Sequence, residues 1–267
     1  MTAFLAWVDA FTGPDCRGNP AGVCLPEEPL EAARMQALAT ELGISETAFV
    51  TPAGDGAYDL RWFSPATEID LCGHATLAAA HTMRALEEVD GTAPVTFHTR
   101  SGALVARFDA GRIVLDFPVA PITETPLPDA LKGEWDEGAV RGAGATAFFT
   151  VVTLDSAAAV RRYQPDLTAL AQAGSRAVII TAAADSGSGA DYVLRVFGPN
   201  VGIDEDPATG SAQCALGPYW AAGLGRPELV AHQASHRGAV LYVRPDGDRV
   251  HIGGDALTVF TGHLGEP

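Results

Sequence analysis

The sequence predicts an α+β protein built as two pseudo-symmetric lobes, each a set of mostly antiparallel strands around a central helix. Three observations lead there. The stretch from Arg61, RWFSPATEIDLCGHAT, returns from Arg195 as RVFGPNVGIDEDPATGSA, so that Arg61, Phe63, Pro65, Ile69 and Asp70 each meet the same residue type 134 positions later. Each copy leads into a run of small apolar residues, Ala75 to Glu88 and Ser211 to Ala222, which reads as a helix apolar on most sides and therefore buried. The segments around these runs are short, aromatic and aliphatic, and set off by Gly and Pro, the pattern of strands and turns.

In chain order, FLAWVDAF (4 to 11) reads as a partly buried strand, and Gly13, Pro14, Gly18, Asn19 and Pro20 punctuate a loop before the short strand AGVCL. From Leu30 to Leu42 the apolar positions Met35, Leu38 and Leu42 have helical spacing, with Gly43 as the stop. ISETAFV follows as a strand with Glu46 at its mouth, and Tyr58 to Phe63 as another. After the first small-residue helix, Val95 to Thr99, Ala103 to Phe108 and Arg112 to Phe117 form antiparallel strands, the last two joined at Asp109-Ala110-Gly111. Pro118, Pro121, Pro126 and Pro128 then mark the lobe boundary.

The second half retraces this order with a strand at Ala147 to Leu154, a helix at Leu167 to Ala173 and a strand at Ala177 to Thr181. Arg176 stands where the first half has Glu46. The second small-residue helix carries Gly217-Pro218, a predicted kink. GAVLYV from Gly238 matches GALVAR from Gly102, and Pro245-Asp246-Gly247 turns the chain into a closing strand from Arg249.

A chain of 267 residues can bury a sizeable core. Its 47% hydrophobic and 19% charged residues are an ordinary globular balance that excludes wholesale disorder. A formal charge of −16 excludes a nucleic-acid partner, which needs clustered Lys and Arg. There is no signal-peptide pattern at the N-terminus and no uncharged apolar run of about 18 residues, so the expected setting is the cytoplasm, with no membrane partner. Cys16, Cys24, Cys72 and Cys214 show neither C-x-x-C spacing nor a His-rich signature, so reduced thiols without disulfide or zinc are expected.

Chemistry concentrates at the two helix starts, Gly73-His74-Ala75-Thr76 and Ala208-Thr209-Gly210-Ser211. Unpaired backbone N–H groups there favour an anion, and pseudo-symmetry would aim both at one cleft. The alternative is that these glycines and hydroxyls only cap and pack. Glu46, among apolar neighbours, is placed for burial to raise its pKa from about 4.3 toward neutrality and suit it to proton transfer; the plain alternative is a turn hydrogen bond. His74 is a donor to a substrate carboxylate or hydroxyl, or else a structural histidine. Cys72 and Asp206 are also 134 apart, setting a thiol and a carboxylate at matched places. A helix start lowers a thiol pKa and would make Cys72 reactive, while a buried Cys is also a small hydrophobe; Asp206 is a ligand acceptor or an N-cap acid.

The ordered set VDAFTGPDCRGNPAGV, ISETAFV, DLCGHATLAAAH and DEDPATGSA, spread over nearly the whole chain, resembles the PhzF-like phenazine-biosynthesis family within the diaminopimelate-epimerase-like superfamily. The resemblance implies two lobes, each with strands wrapped barrel-like around its helix, the first comprising residues 1–118 joined by about 255–267 and the second 119–254. It implies a cofactor-free and metal-free site between the lobes, and a homodimer. Well-understood members isomerise a cyclic dihydro-hydroxyanthranilate by moving a proton, with the glutamate at the position of Glu46 as acid and base. His74 and Asp206, with Gly73, Gly210 and Ser211, then handle substrate and proton, and Cys72, Ala75 and Thr209 complete the expected binding set. Diaminopimelate epimerases use two cysteines across the cleft; Cys72 takes the first position, but none stands opposite in DEDPATGSA. The expected function is therefore a cofactor-independent isomerase or epimerase shifting a proton on a small, carboxylated metabolite. Its rivals are an amino-acid racemase using Cys72 and a catalytically silent binding protein of the same fold.

Overall fold

The computed structural model describes residues 3–54 and 56–264. The expected outer limits of the first lobe, residues 1–2 and 265–267, lie outside the described residues. The chain divides into two compact units, Met1–Asp116 with Gly253–Pro267, and Phe117–Ile252.

The first unit runs β1 (Ala3–Thr12), β2 (Asn19–Pro26), α1 (Ala32–Leu42), β3 (Glu46–Pro52), β4 (Tyr58–Phe63) and β5 (Glu68–Ile69). It continues with α2 (Gly73–Ala85), β6 (Val95–Thr99), β7 (Gly102–Asp109) and β8 (Arg112–Pro118). β1 pairs antiparallel with β2, β2 parallel with β3, β3 antiparallel with β4 and β4 parallel with β6. β6, β7 and β8 follow antiparallel, and β8 pairs with β17 (Arg249–Leu264), which returns to pair with β1. The circuit is an eight-stranded closed barrel, which leaves no open edge among these strands.

Its two parallel joins require crossovers, because parallel neighbours cannot be linked by a tight turn. α1 supplies the first and α2 the second. α2 is the helix packed against β1, β2, β3 and β7, and nine of its thirteen residues are buried. Alanine makes this possible: Ala75, Ala78, Ala79 and Ala80 are fully buried and let the strands close tightly on the helix.

The second unit repeats the plan with β9 (Thr123–Glu124), β10 (Val140–Ala145), β11 (Phe149–Leu154), α3 (Ala157–Arg162), α4 (Leu167–Gln172) and β12 (Ala177–Ala183). β13 (Tyr192–Gly198), β14 (Ile203–Asp206), α5 (Gly210–Leu224), β15 (Leu229–Gln233) and β16 (Ala239–Asp246) follow, before the first residues of β17. β11 is parallel to β12 and β13 to β15, the same two crossover positions as in the first unit. α5 continues past Pro218, so that residue lies within the helix and does not end it. Leu131, Val152, Val160, Leu170, Ile180 and Phe197 form a core on which Trp135 packs, stacked 5.2 Å from Tyr163.

The internal repeat departs from the constant offset read in the sequence. Trp62 pairs with Ile69 across β4 and β5, whereas Val196, 134 positions after Trp62, pairs with Asp206. Two extra residues enter at the short 3-10 turn Pro199–Val201, which the Gly198–Ile203 pair closes, and a third at the register shift before the Val196–Asp206 pair, so that the offset from there on is 137. Side chains confirm the new register. Arg61 donates to both Glu68 oxygens at 2.7 and 2.9 Å, and Arg195 to both Glu205 oxygens at 2.7 and 3.0 Å. Thr76 Oγ1 donates to the Cys72 carbonyl at 2.6 Å, and Gln213 Nε2 to the Thr209 carbonyl at 3.2 Å. Cys72 therefore answers to Thr209, the N-cap of α5, and Asp206 answers to Ile69; the sequence match of Cys72 with Asp206 is corrected.

Among the described residues no helix is long and apolar enough to cross a membrane.

Candidate active site

Three strand and helix beginnings meet at one end of the first barrel. α1 stops at Gly43, which takes the left-handed conformation at φ 62° and returns its N–H to the Ala39 carbonyl. The chain then enters β3 with Glu46 as its first residue, in register with Ala21 of the parallel strand β2. Parallel strands start at the same end, so Asn19, the first residue of β2, lies beside the mouth of β3. α2 begins there too, with Cys72 in extended conformation as its N-cap and His74 as its second residue.

Glu46, Cys72 and His74 are all buried, with 8%, 6% and 7% of their surfaces exposed. A carboxylate Oε2 of Glu46 stands 3.0 Å from His74 Nε2. On the other side of the ring, Asn19 Nδ2 stands 3.3 Å from His74 Nδ1, and the single Ser45 hydroxyl proton has two acceptors within reach, Asn19 Oδ1 at 3.3 Å and the Pro20 carbonyl at 3.1 Å. Cys72 Sγ is 3.5 Å from Nδ1 and 3.8 Å from Nε2. An atom nearly equidistant from both ring nitrogens is off the lone-pair axis of either, so the sulfur rests against the imidazole without a directed bond. The same geometry bears on metal binding. The three donor groups lie within 4.8 Å of one another, but an ion held about 2.0 Å from a histidine nitrogen along its lone pair would not also meet this sulfur at about 2.3 Å.

Burial pushes the Cys72 thiol up, against the opposing pull of His74. The helix start was expected to do the reverse, and burial outweighs it. For His74 burial favours the neutral ring, but the Glu46 carboxylate 3.0 Å from Nε2 opposes burial and raises its pKa above the ordinary value. With the thiol held protonated, the Glu46 carboxylate is the anion that stabilises a charged imidazole.

Gly73 is half-buried at the first turn, and Ala75 is fully buried behind it as a packing residue of the barrel interior. Three N–H groups of α2, those of Gly73, His74 and Ala75, precede the first intrahelical bond, from Thr76 N–H to the Cys72 carbonyl at 3.1 Å; that of Ala75 points to the Cys72 sulfur, which leaves those of Gly73 and His74.

At the start of α5 the second unit holds a different polar cluster. Thr209 Oγ1 donates to Asp206 Oδ2 at 2.6 Å. Gln233, fully buried on β15, accepts from the Thr209 N–H at 2.7 Å and donates to the Asp206 carbonyl at 2.7 Å. Ser235 Oγ fastens the Pro207 carbonyl at 2.9 Å, and buried Gln213 accepts from the Tyr192 hydroxyl. Asp206 is half-buried, Thr209 and Gly210 are buried and Ser211 is exposed. Arg176 is exposed just before β12. Asn19, Ser45, Gln213 and Gln233 were absent from the residues predicted for the site. Asn19 lay inside a motif already singled out, and Gln213, four residues after Thr209 on a helix, had a spacing that could have marked it.

A barrel wound on a buried helix, with acid–base side chains at the helix start, is the diaminopimelate-epimerase-like α+β fold. The model of the phenazine biosynthesis-like protein family matches residues 8–262, and the chain belongs to that family. An uncharacterized isomerase of Halalkalibacterium halodurans is 41% identical over 265 residues, 99% of each chain. Another from Pseudomonas aeruginosa is 43% identical over 257 residues, 96% of each. The crystal structure of a PhzF-family phenazine biosynthesis protein from Enterococcus faecalis is 36% identical, covers 100% of both chains and superposes with a TM-score of 0.92. At the level of enzyme class, these relatives support an isomerase.

Proposed function

We propose that the protein is a cofactor-independent isomerase that moves a proton on a small, carboxylated metabolite, with Glu46 as the proton carrier. The observation that carries this reading is the buried Glu46 carboxylate 3.0 Å from His74 Nε2 beside the start of α2. His74 orients the carboxylate and stabilises its charge, so that it can take a proton from one carbon and return it to another on the same face. The free N–H groups at the α2 start suit a substrate anion. Asp206, with Thr209, Gly210 and Ser211, is proposed to contribute substrate contacts, and the working form to be a cytoplasmic homodimer. The raised thiol of Cys72 disfavours a thiolate base and with it the racemase reading.

The test incubates a panel of small carboxylated metabolites in heavy water and follows deuterium incorporated only when protein is present. Glu46→Gln keeps size and most hydrogen bonding but removes the acid–base function, so exchange should fall about 100-fold or more. A folded Glu46→Gln protein exchanging at the wild-type rate would remove Glu46 from the role.

A further inference from the structure

We propose that Asn19 is a positioning residue that sets which ring nitrogen of His74 carries the proton, and that Ser45 sets Asn19. The inference rests on the isomerase reading only for its catalytic consequence; its geometry stands alone.

The chain of donors runs one way. Ser45 Oγ donates to Asn19 Oδ1 at 3.3 Å, which turns the amide's amino group toward His74. Asn19 Nδ2 then meets His74 Nδ1 at 3.3 Å. An amino group has only protons to offer, so Nδ1 must accept, and the proton of the neutral ring belongs on Nε2. Nε2 in turn faces Glu46 Oε2 at 3.0 Å and donates to it. Reversing the amide would send the proton to Nδ1 and leave two acceptors, bare Nε2 and the Glu46 carboxylate, opposed across a buried contact. Asn19 is fully buried, so water does not provide a cheap substitute for either partner.

The arrangement also accommodates a charged ring. An imidazolium needs an acceptor at Nδ1, which the amide supplies by turning over so that Oδ1 faces the ring. Ser45 then accepts from Nδ2 and hands its own proton to the Pro20 carbonyl, already 3.1 Å away. The two acceptors within reach of Ser45 match the two states of the ring. Among the described residues the titratable groups at the imidazole are Glu46 from β3 and Cys72 from the helix's own cap.

The test reads the histidine tautomer directly from ¹⁵N–¹H correlation spectra of the ligand-free, full-length protein, on the alkaline side of the ring's titration. Wild type should show one tautomer, with Nδ1 bare and Nε2 protonated. Asn19→Asp replaces the amide by an acceptor and should move the proton to Nδ1; on the same alkaline side, where the ring is neutral, exchange turnover should fall about 100-fold while KM changes less than about threefold. A folded Asn19→Asp protein with the proton still on Nε2 would overturn the inference. Should that variant fail to fold, Ser45→Ala decides: a mixture of tautomers supports the relay, and an unchanged single tautomer overturns it. No substrate enters these spectra, so their outcome is independent of whether Glu46→Gln abolishes exchange.

Discussion

Gly18 and Gly43 take nearly the same left-handed backbone, φ 67° and φ 62°, but in opposite surroundings. A Cβ on Gly43 would meet nothing within 4 Å, whereas one on Gly18 would lie 2.1 Å from the Ala10 carbonyl oxygen and 3.1 Å from the Phe11 carbonyl carbon. Alanine at either position costs about 1 kcal/mol for the dihedral alone. At Gly18 a further overpacking term of about 1–3 kcal/mol applies, because the obstruction is backbone and cannot rotate away. Phe11 limits relief further, since it is fully buried at φ 60° in a β1 bulge. At about 2–4 °C per kcal/mol for a chain of this size, Gly18→Ala should melt about 2–12 °C below Gly43→Ala in parallel thermal scans. The functional consequence is local. Asn19 is the next residue and pairs with Ala10, so the same shift should disturb the His74 tautomer, while Gly43→Ala should leave it intact. Equal melting temperatures within 1 °C would refute the steric account.

Cys72→Ser should hold deuterium exchange within about tenfold of wild type, because the buried, protonated thiol is not the base; a loss of about 100-fold or more would favour a thiol racemase. Gln233→Leu removes the acceptor of the buried Thr209 N–H, at about 1–3 kcal/mol, and should lower the urea midpoint accordingly. Glu68 has its pKa lowered by the hydrogen bond from Arg61. The bond's stabilisation is therefore present above the carboxyl's unfolded value near 4.5 and lost as pH falls through the lower folded value. Glu68→Gln should be less stable than wild type at neutral pH, with the gap in urea midpoint closing under acid; a gap that persists there would assign the loss to packing.

The fold was legible because its two decisive elements carry long-range signatures. The alanine run at 75 to 80 has no polar face, and a helix with no polar face must be enclosed. The duplicated Arg-x-Phe run marks β4 and β13, each followed by its enclosed helix. Segments without such a signature were missed. β10, Val140–Ala145, has the sequence VRGAGA, whose small residues carry little strand preference, and it exists through its pairing with β11 and β9. The helix α3 was missed although Ser156 caps it, accepting from the Ala159 N–H at 3.2 Å.

The candidate site was legible only where polar chemistry and local pattern coincided. Glu46 and His74 stand 28 residues apart, yet each occupies the first turn or first residue of its element, where polar groups have a reason to be. Asn19 stands 55 residues from His74 and was read as loop punctuation, because nothing within its own stretch says that β2 and β3 will be parallel. Parallel pairing brings two strand beginnings to the end of the barrel where α2 starts, and that topological fact turns a turn residue into a partner of the His74 ring. The three-residue insertion makes the complementary point. Matching Ile69 with Ile203 and Asp70 with Asp204 gave an unbroken alignment that paired Cys72 with Asp206. Hydrogen bonding instead pairs Glu68 with Glu205 and Cys72 with Thr209, because each arginine holds the acid that its strand register delivers. A repeat is conserved in its ladders and ion pairs before its spacing, so the equivalence of two half-sites is better read from the partners each residue holds than from a constant offset.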